Sequence, residues 1–171
     1  MEENKINILI VEDDKSHADL ISRSFESATT PVSVTCTCNL NEARASIAET
    51  VPNMVIADYL LPDGKGTELI PSNKEEHPYP IVIMTSHGDE KVAVAAMKAG
   101  AFDYVVKSEG VLDDMPNVCE KILLEWNYTI RHKRVEKELK ESEARFHSLL
   151  VSLYESAIVI YDRDGIVTAL W

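Results

Sequence analysis

The chain has 171 residues, 45% apolar and 27% charged, which suffices for one domain with a buried core and some chain left over. Its net charge of −12 argues against a nucleic-acid-binding module, which carries a basic patch, and against an anionic membrane surface. No apolar run approaches the length of a membrane span, and the acidic start at Met1–Lys5 is not a signal peptide. Three cysteines, Cys36, Cys38 and Cys119, fit a reducing compartment, the cytoplasm. Cys36-Thr37-Cys38 has strand spacing that sends both thiols to one face, where packing is the expected role; zinc would need two further ligands.

Along the chain, short apolar runs alternate with helical patterns. Ile6–Val11 is a nearly continuous β-branched strand, and Lys15–Ala28 carries Ala18, Ile21, Phe25 and Ala28 on one helical face. Val32–Cys36 alternates as a second strand. Asn39 with Glu42 three residues on resembles a capping box for the next helix. Met54–Ala57 is a third strand that stops at Asp58, and Leu61-Pro62-Asp63-Gly64 is a turn. Residues from about Gly66 to Glu76 read as a weak helix, because Pro71 falls inside it. Pro80–Met84 is the fourth strand, Asp89–Ala99 a helix closed by Gly100, and Phe102–Val106 the fifth strand. Strands alternating with helices imply βαβ units, a parallel sheet and right-handed crossovers, hence an α/β doubly wound layer over residues 4–125.

The remainder differs. From Asn117 to Asp164 there is neither glycine nor proline, and Pro116 suits the first turn of a helix. Val118, Ile122, Trp126 and Ile130 recur every fourth residue. Ten of the fifteen residues from Arg131 to Arg145 are charged, and Glu136–Lys140 and Glu141–Arg145 are favourable pairs. Val135, Leu139, Phe146, Leu149 and Leu153 fit a heptad register from His132, interrupted by His132 itself and Ser142. A helical linker over 126–147, able to form a homodimeric coiled coil, is the simplest account. Ala157–Tyr161, a turn at Asp162–Gly165 and Ile166–Leu170 then read as a hairpin, which is marginal alone, so the chain is expected to stop inside a second domain over 148–171.

Ligands of open parallel sheets bind beyond the carboxyl ends of the strands. Glu12, Asp13 and Asp14 follow the first strand, Asp58 the third, Thr85 and Ser86 the fourth, and Lys107 the fifth. Polar strand ends explain any one of these positions. They do not explain the convergence of several carboxylates, a hydroxyl and an ammonium on one rim. Clustered carboxylates repel, and a hard divalent cation such as Mg²⁺ relieves the repulsion.

Ile8–Asp14, Asp58-Tyr59-Leu60-Leu61-Pro62-Asp63-Gly64, Ile83-Met84-Thr85-Ser86 and Gly100–Lys107, in that order, closely resemble the response-regulator receiver domain of two-component signalling. The resemblance implies a flavodoxin-like sheet of order 2-1-3-4-5. It implies that Asp58 is the nucleophile that accepts a phosphoryl group from a phosphohistidine on a histidine kinase or phosphotransfer protein. Asp13, Asp58 and the Leu60 backbone carbonyl would ligate Mg²⁺, with Glu12 acting through water. Lys107 would pair with Asp58 at rest and with the phosphoryl oxygens afterwards, Thr85 would donate to a phosphoryl oxygen, and Tyr104 would be the switch aromatic. Leu60 and His87 would flank the route of attacking water.

One departure matters. Ser108 stands where the family usually has proline after a cis bond. A cis non-proline bond costs roughly 2.5–4 kcal/mol, so either the bond is trans or the fold holds it under strain. The segment from Ser142 to Leu150, with Glu155–Gly165, is similar to the opening of a PAS sensor domain. A kinase is not expected, since no glycine-rich nucleotide box or phosphoacceptor-histidine motif occurs. A Mg²⁺-dependent phosphatase acting through an aspartyl phosphate would need a further general acid and a substrate cap. A pseudo-receiver would lack the acceptor or the lysine, and both are present.

Overall fold

A computed structural model describes residues 5–28, 30–71, 78–86, 90–153, 159–161, 164 and 167–170. Two compact units, Met1–Trp126 and Asn127–Trp171, make up the chain. The first contains β1 (Ile6–Val11), α1 (Lys15–Ser24), β2 (Val32–Thr37), α2 (Leu40–Glu49), β3 (Met54–Asp58), a small hairpin of β4 (Leu60–Leu61) and β5 (Gly64–Lys65), β6 (Ile81–Thr85), α3 (Glu90–Ala99), β7 (Asp103–Val106) and α4 (Glu109–Asp113). Helix α5 runs unbroken from Met115 to Leu153, starting in this unit and ending in the second. The second unit also holds an antiparallel pair, β8 (Val159–Tyr161) and β9 (Val167–Leu170).

The main sheet is parallel, in the order β2-β1-β3-β6-β7, so its five strands follow the flavodoxin-like order expected. β3 and β6 are buried along their whole lengths, which is why they read as unbroken apolar runs. Alternate residues feed two separate cores. Leu9, Val11, Val55, Ala57, Ile81 and Ile83 pack against Leu40 and Ala43 of α2 and Ala96 of α3. Ile8, Ile10, Met54, Ile56, Val82 and Met84 pack against Ile21 of α1, Leu112 of α4, and Met115, Cys119 and Ile122 of α5. A one-residue slip of any central strand would exchange these sets, so the double core fixes the register and with it the strand ends.

Several local expectations are modified. Asn39 caps α2 by accepting from the Glu42 N–H at 2.9 Å, but the Glu42 carboxylate accepts from Cys38 rather than from Asn39, so the box is only half formed. The helix expected over about Gly66–Glu76 reduces to a single 3₁₀ turn over Gly66–Leu69; Ile70 and Pro71 are not helical, and residues 72–76 lie outside the described residues. Gly100 has φ +107° and closes α3, where a side chain would be strained. Cys36 and Cys38 are exposed rather than packed, because β2 is an edge strand and Cys38 lies past its end; Cys36 Sγ is 3.2 Å from Ser22 Oγ. Cys119 is the buried thiol, pushed up to about 12 by its apolar surroundings.

No cis peptide bond occurs among the described residues, so Lys107–Ser108 is trans. Ser108 caps the unforeseen short helix α4, its hydroxyl accepting from the Val111 N–H at 3.4 Å. Proline has no hydroxyl and could not act in this way. In the second unit, Val135, Leu139, Phe146 and Leu149 are each about three-fifths exposed, and Lys140 pairs with Glu136 at 2.7 Å. No helix among the described residues is long and apolar enough to cross a membrane.

Candidate functional site

The acidic rim is assembled by strand register. Val11 lies beside Ala57, Asp58 beside Met84, and Thr85 beside Val106, so the residues that leave β1, β3, β6 and β7 emerge along one edge of the sheet. Backbone bonds prolong the sheet past the strand ends. Glu12 N–H donates to the Thr37 carbonyl, Tyr59 N–H to Met84, and Lys107 N–H to Thr85, at 2.9, 2.7 and 2.8 Å.

Lys107 is the hub. Its side chain is only 4% exposed, and its Nζ lies 2.7 Å from Asp58 Oδ2 and 2.6 Å from Glu12 Oε2. Glu12, Asp58 and Thr85 are buried, while Asp13 is exposed. Carboxylate oxygens of Glu12, Asp13 and Asp58 lie within 4.8 Å of one another. Burial pushes the Glu12 carboxyl up and Asp58 adds to the rise, against the opposing pull of Lys107. Burial acts against the Lys107 ammonium, but its contacts with Asp58 and Glu12 outweigh it and leave the group above the ordinary lysine value. One ammonium therefore serves two buried carboxylates beside a third at the surface. This excess of negative oxygen donors suits a small hard cation that keeps some of its water.

The other predicted residues have distinct placements. Tyr104 is half-buried on β7, opposite Ile83 of β6. Leu60 follows Asp58 by two residues, at the start of β4, with its side chain exposed. His87 lies outside the described residues. Asp14 is not part of the cluster of three. Its carboxylate caps α1, accepting from the Ser16 and His17 N–H groups at 2.8 and 3.3 Å, and those bonds hold it below the usual range.

Three supporting residues escaped the sequence reading. Gly66 packs directly on the Asp58 backbone: a Cβ there would overlap the Asp58 carbonyl oxygen and come within 3.1 Å of Ala57 Cβ. Asp63 ties the loop after Asp58 to α2, accepting from the Leu40 and Asn41 N–H groups at 2.8 and 3.1 Å. His17 faces Glu12, with Nδ1 3.8 Å from Oε1. The available signals were a second glycine two residues after Gly64 and an aspartate in the turn; nothing in the sequence marks His17 as close to Glu12.

Fold and cluster together define an α/β domain whose parallel sheet presents an acid–lysine constellation at its carboxyl edge. The profile of the response regulator receiver domain family matches residues 8–117, and the chain belongs to that family. It is 42% identical over 126 residues to the methanogenesis regulatory protein FilR1 of Methanothrix harundinacea strain 6Ac, covering 70% of this chain and 28% of that protein. It is 36% identical over 103 residues to the DNA-binding transcriptional regulator NtrC of Salmonella typhimurium LT2, covering 58% of this chain and 21% of the relative. The chain thus spans less than a third of either relative. Among solved structures, a response regulator from Chloroflexus aurantiacus J-10-fl superposes with a TM-score of 0.60 at 28% identity, over 71% of this chain and 99% of that one.

Proposed function

We propose that this chain is a phosphoacceptor switch in a phosphorelay, with Asp58 as the acceptor. The observation that carries the reading is Lys107, buried between Asp58 and Glu12 beside Asp13. The Asp58 carboxylate attacks the phosphorus of a phosphohistidine on a histidine kinase or phosphotransfer protein. The P–O bond forms, the P–N bond breaks, and the imidazole nitrogen leaves with the electron pair. Asp13, Asp58 and the Leu60 carbonyl would hold Mg²⁺, with Glu12 acting through water; when bound, the ion offsets charge on the transferring group. Lys107 orients Asp58 beforehand and follows the phosphoryl oxygens afterwards. Thr85 donates its hydroxyl to one of those oxygens, and Tyr104 on the adjacent strand moves inward as Thr85 shifts, so phosphorylation biases two populations of this face. The chain acts as a switch in the cytoplasm rather than turning over a separate substrate.

NtrC is named a DNA-binding regulator; the charge of −12 supports a reading in which this chain itself contacts neither nucleic acid nor membrane. The exposed heptad residues of α5 support pairing with a second copy, and β8–β9 together with the residues from Ser148 supports the opening of a PAS domain. The test is incubation with a small phosphodonor, with and without Mg²⁺. One acid-stable, alkali-labile phosphoryl group per chain, dependent on Mg²⁺ and lost in Asp58→Asn, is expected. Repeated turnover of a phosphate ester, or no adduct, would contradict the reading. Size measurement before and after the reaction tests whether α5 pairs.

A further inference from the structure

Beside Glu12 stands an imidazole that the proposed chemistry leaves unused. His17 lies in the first turn of α1, where the Asp14 cap fixes its backbone. Its side chain is 38% exposed, but its Nδ1 is buried, has no hydrogen-bond partner among the described residues, and lies 3.8 Å from Glu12 Oε1. A buried orphan nitrogen costs free energy, so an occupied state of the site in which it gains a partner is favoured. A lone pair on Nδ1 facing a carboxylate would be repelled, which assigns the hydrogen to Nδ1.

On the Glu12 side, Oε2 is engaged by Lys107, whereas among the described residues Oε1 has only a long bond of 3.3 Å from the Asp14 N–H. In the proposed switch Lys107 must leave Glu12 to follow the phosphoryl oxygens. A buried carboxylate would then lose its main partner at the moment its orientation matters most.

We infer that His17 is a positioning residue for Glu12: its Nδ1–H closes onto Oε1 and holds the carboxylate toward the cation when Lys107 departs. The gap has to shrink by about 1 Å to reach ordinary N–H···O length, a displacement that a rotamer adjustment within the first turn of α1 supplies. The inference rests on the Mg²⁺ reading above.

The test uses the whole chain, with His17→Ala and with His17→Asn, whose amide nitrogen can stand near the Nδ1 position. Thermal melting establishes that both fold. Calorimetric Mg²⁺ titration in the presence of beryllofluoride, as a phosphoryl mimic, then reads affinity, and nitrogen NMR of the wild-type imidazole reads the tautomer. Expected are roughly tenfold weaker Mg²⁺ binding in His17→Ala, as for loss of an outer partner of a metal ligand, substantial recovery in His17→Asn, and an Nδ1–H signal that shifts when both probes are bound. Undiminished affinity in His17→Ala, no recovery in His17→Asn, or hydrogen on Nε2 alone would overturn the role of His17 while leaving the metal reading intact. A wild-type chain that binds no Mg²⁺ would overturn both.

Discussion

Replacing Gly66 by alanine tests whether Asp58, the proposed acceptor, is held by backbone packing as well as by Lys107. The added Cβ would come within 2.2 Å of the Asp58 carbonyl oxygen, and backbone cannot swing aside as a long side chain can. Either β3 shifts at its carboxyl end, or the turn at Gly66 withdraws and loses the bond from Gly66 N–H to the Tyr59 carbonyl, now 3.1 Å. Overpacking of this kind costs about 1–3 kcal/mol, and the lost bond about 1 kcal/mol more. Reduced freedom of the unfolded chain returns about 0.4–1 kcal/mol. The net loss is roughly 1–3 kcal/mol, a fall in Tm of about 4–12 °C for a domain of this size. Gly110 is the matched control. It lies in α4 with nothing among the described residues within 4 Å of its notional Cβ, so Gly110→Ala is expected to stabilise by about 0.5–1 kcal/mol. The assay is thermal melting of both variants, followed by phosphoryl uptake from a small donor below both midpoints. Gly66→Ala should melt lower and accept phosphoryl groups more slowly. A Gly66→Ala chain as stable and as readily phosphorylated as the parent would refute the packing argument.

Other consequences concern charge and access. Because burial raises the Glu12 carboxyl above its unfolded value of 4.5, its ionisation costs stability that is fully present only below that pH. Metal-free Glu12→Gln should therefore melt above wild type at pH 7, with the difference closing as pH falls below 4.5; a pH-independent difference would contradict this. Asp63 behaves oppositely: the N–H groups of α2 hold it below 3.8, so its contribution is present above that value and lost as pH falls through its folded pKa. Asp63→Ala should lower Tm at pH 7 and converge with wild type in acid, and equal melting at pH 7 would exclude the cap. Under native conditions a thiol reagent should modify Cys36 and Cys38 promptly and Cys119 only on unfolding. Prompt modification of all three would place Cys119 outside the core.

What was legible in the sequence follows from periodicity. The β-branched runs of β1, β3 and β6 are buried on both faces, and their polar terminations at Glu12, Asp58 and Thr85 mark the rim directly. The convergence of Lys107 on Asp58 and Glu12 follows once strand order is known. The parts that escaped are contacts between segments distant in the chain or set by local cap chemistry. Asp63 reaches back to α2 across 23 residues, and Gly66 matters only because β3 passes beneath it. His17 faces Glu12 because the Asp14 cap sets the start of α1. Ser108 was read only as a missing proline, whereas it supplies a cap for a helix too short to give a periodic signal. Period-2 spacing gives Cys36 and Cys38 a shared face without telling whether that face is covered.

The most direct measurement is to expose the chain to a small phosphodonor with Mg²⁺, reduce it with borohydride, and locate the modified residue by peptide mass spectrometry. An aspartyl phosphate at the head of the β3 loop would be recovered as homoserine at position 58, and nowhere else. A reduced side chain at any other aspartate or glutamate, or an unaltered Asp58 in a chain that had taken up phosphate, would contradict the account.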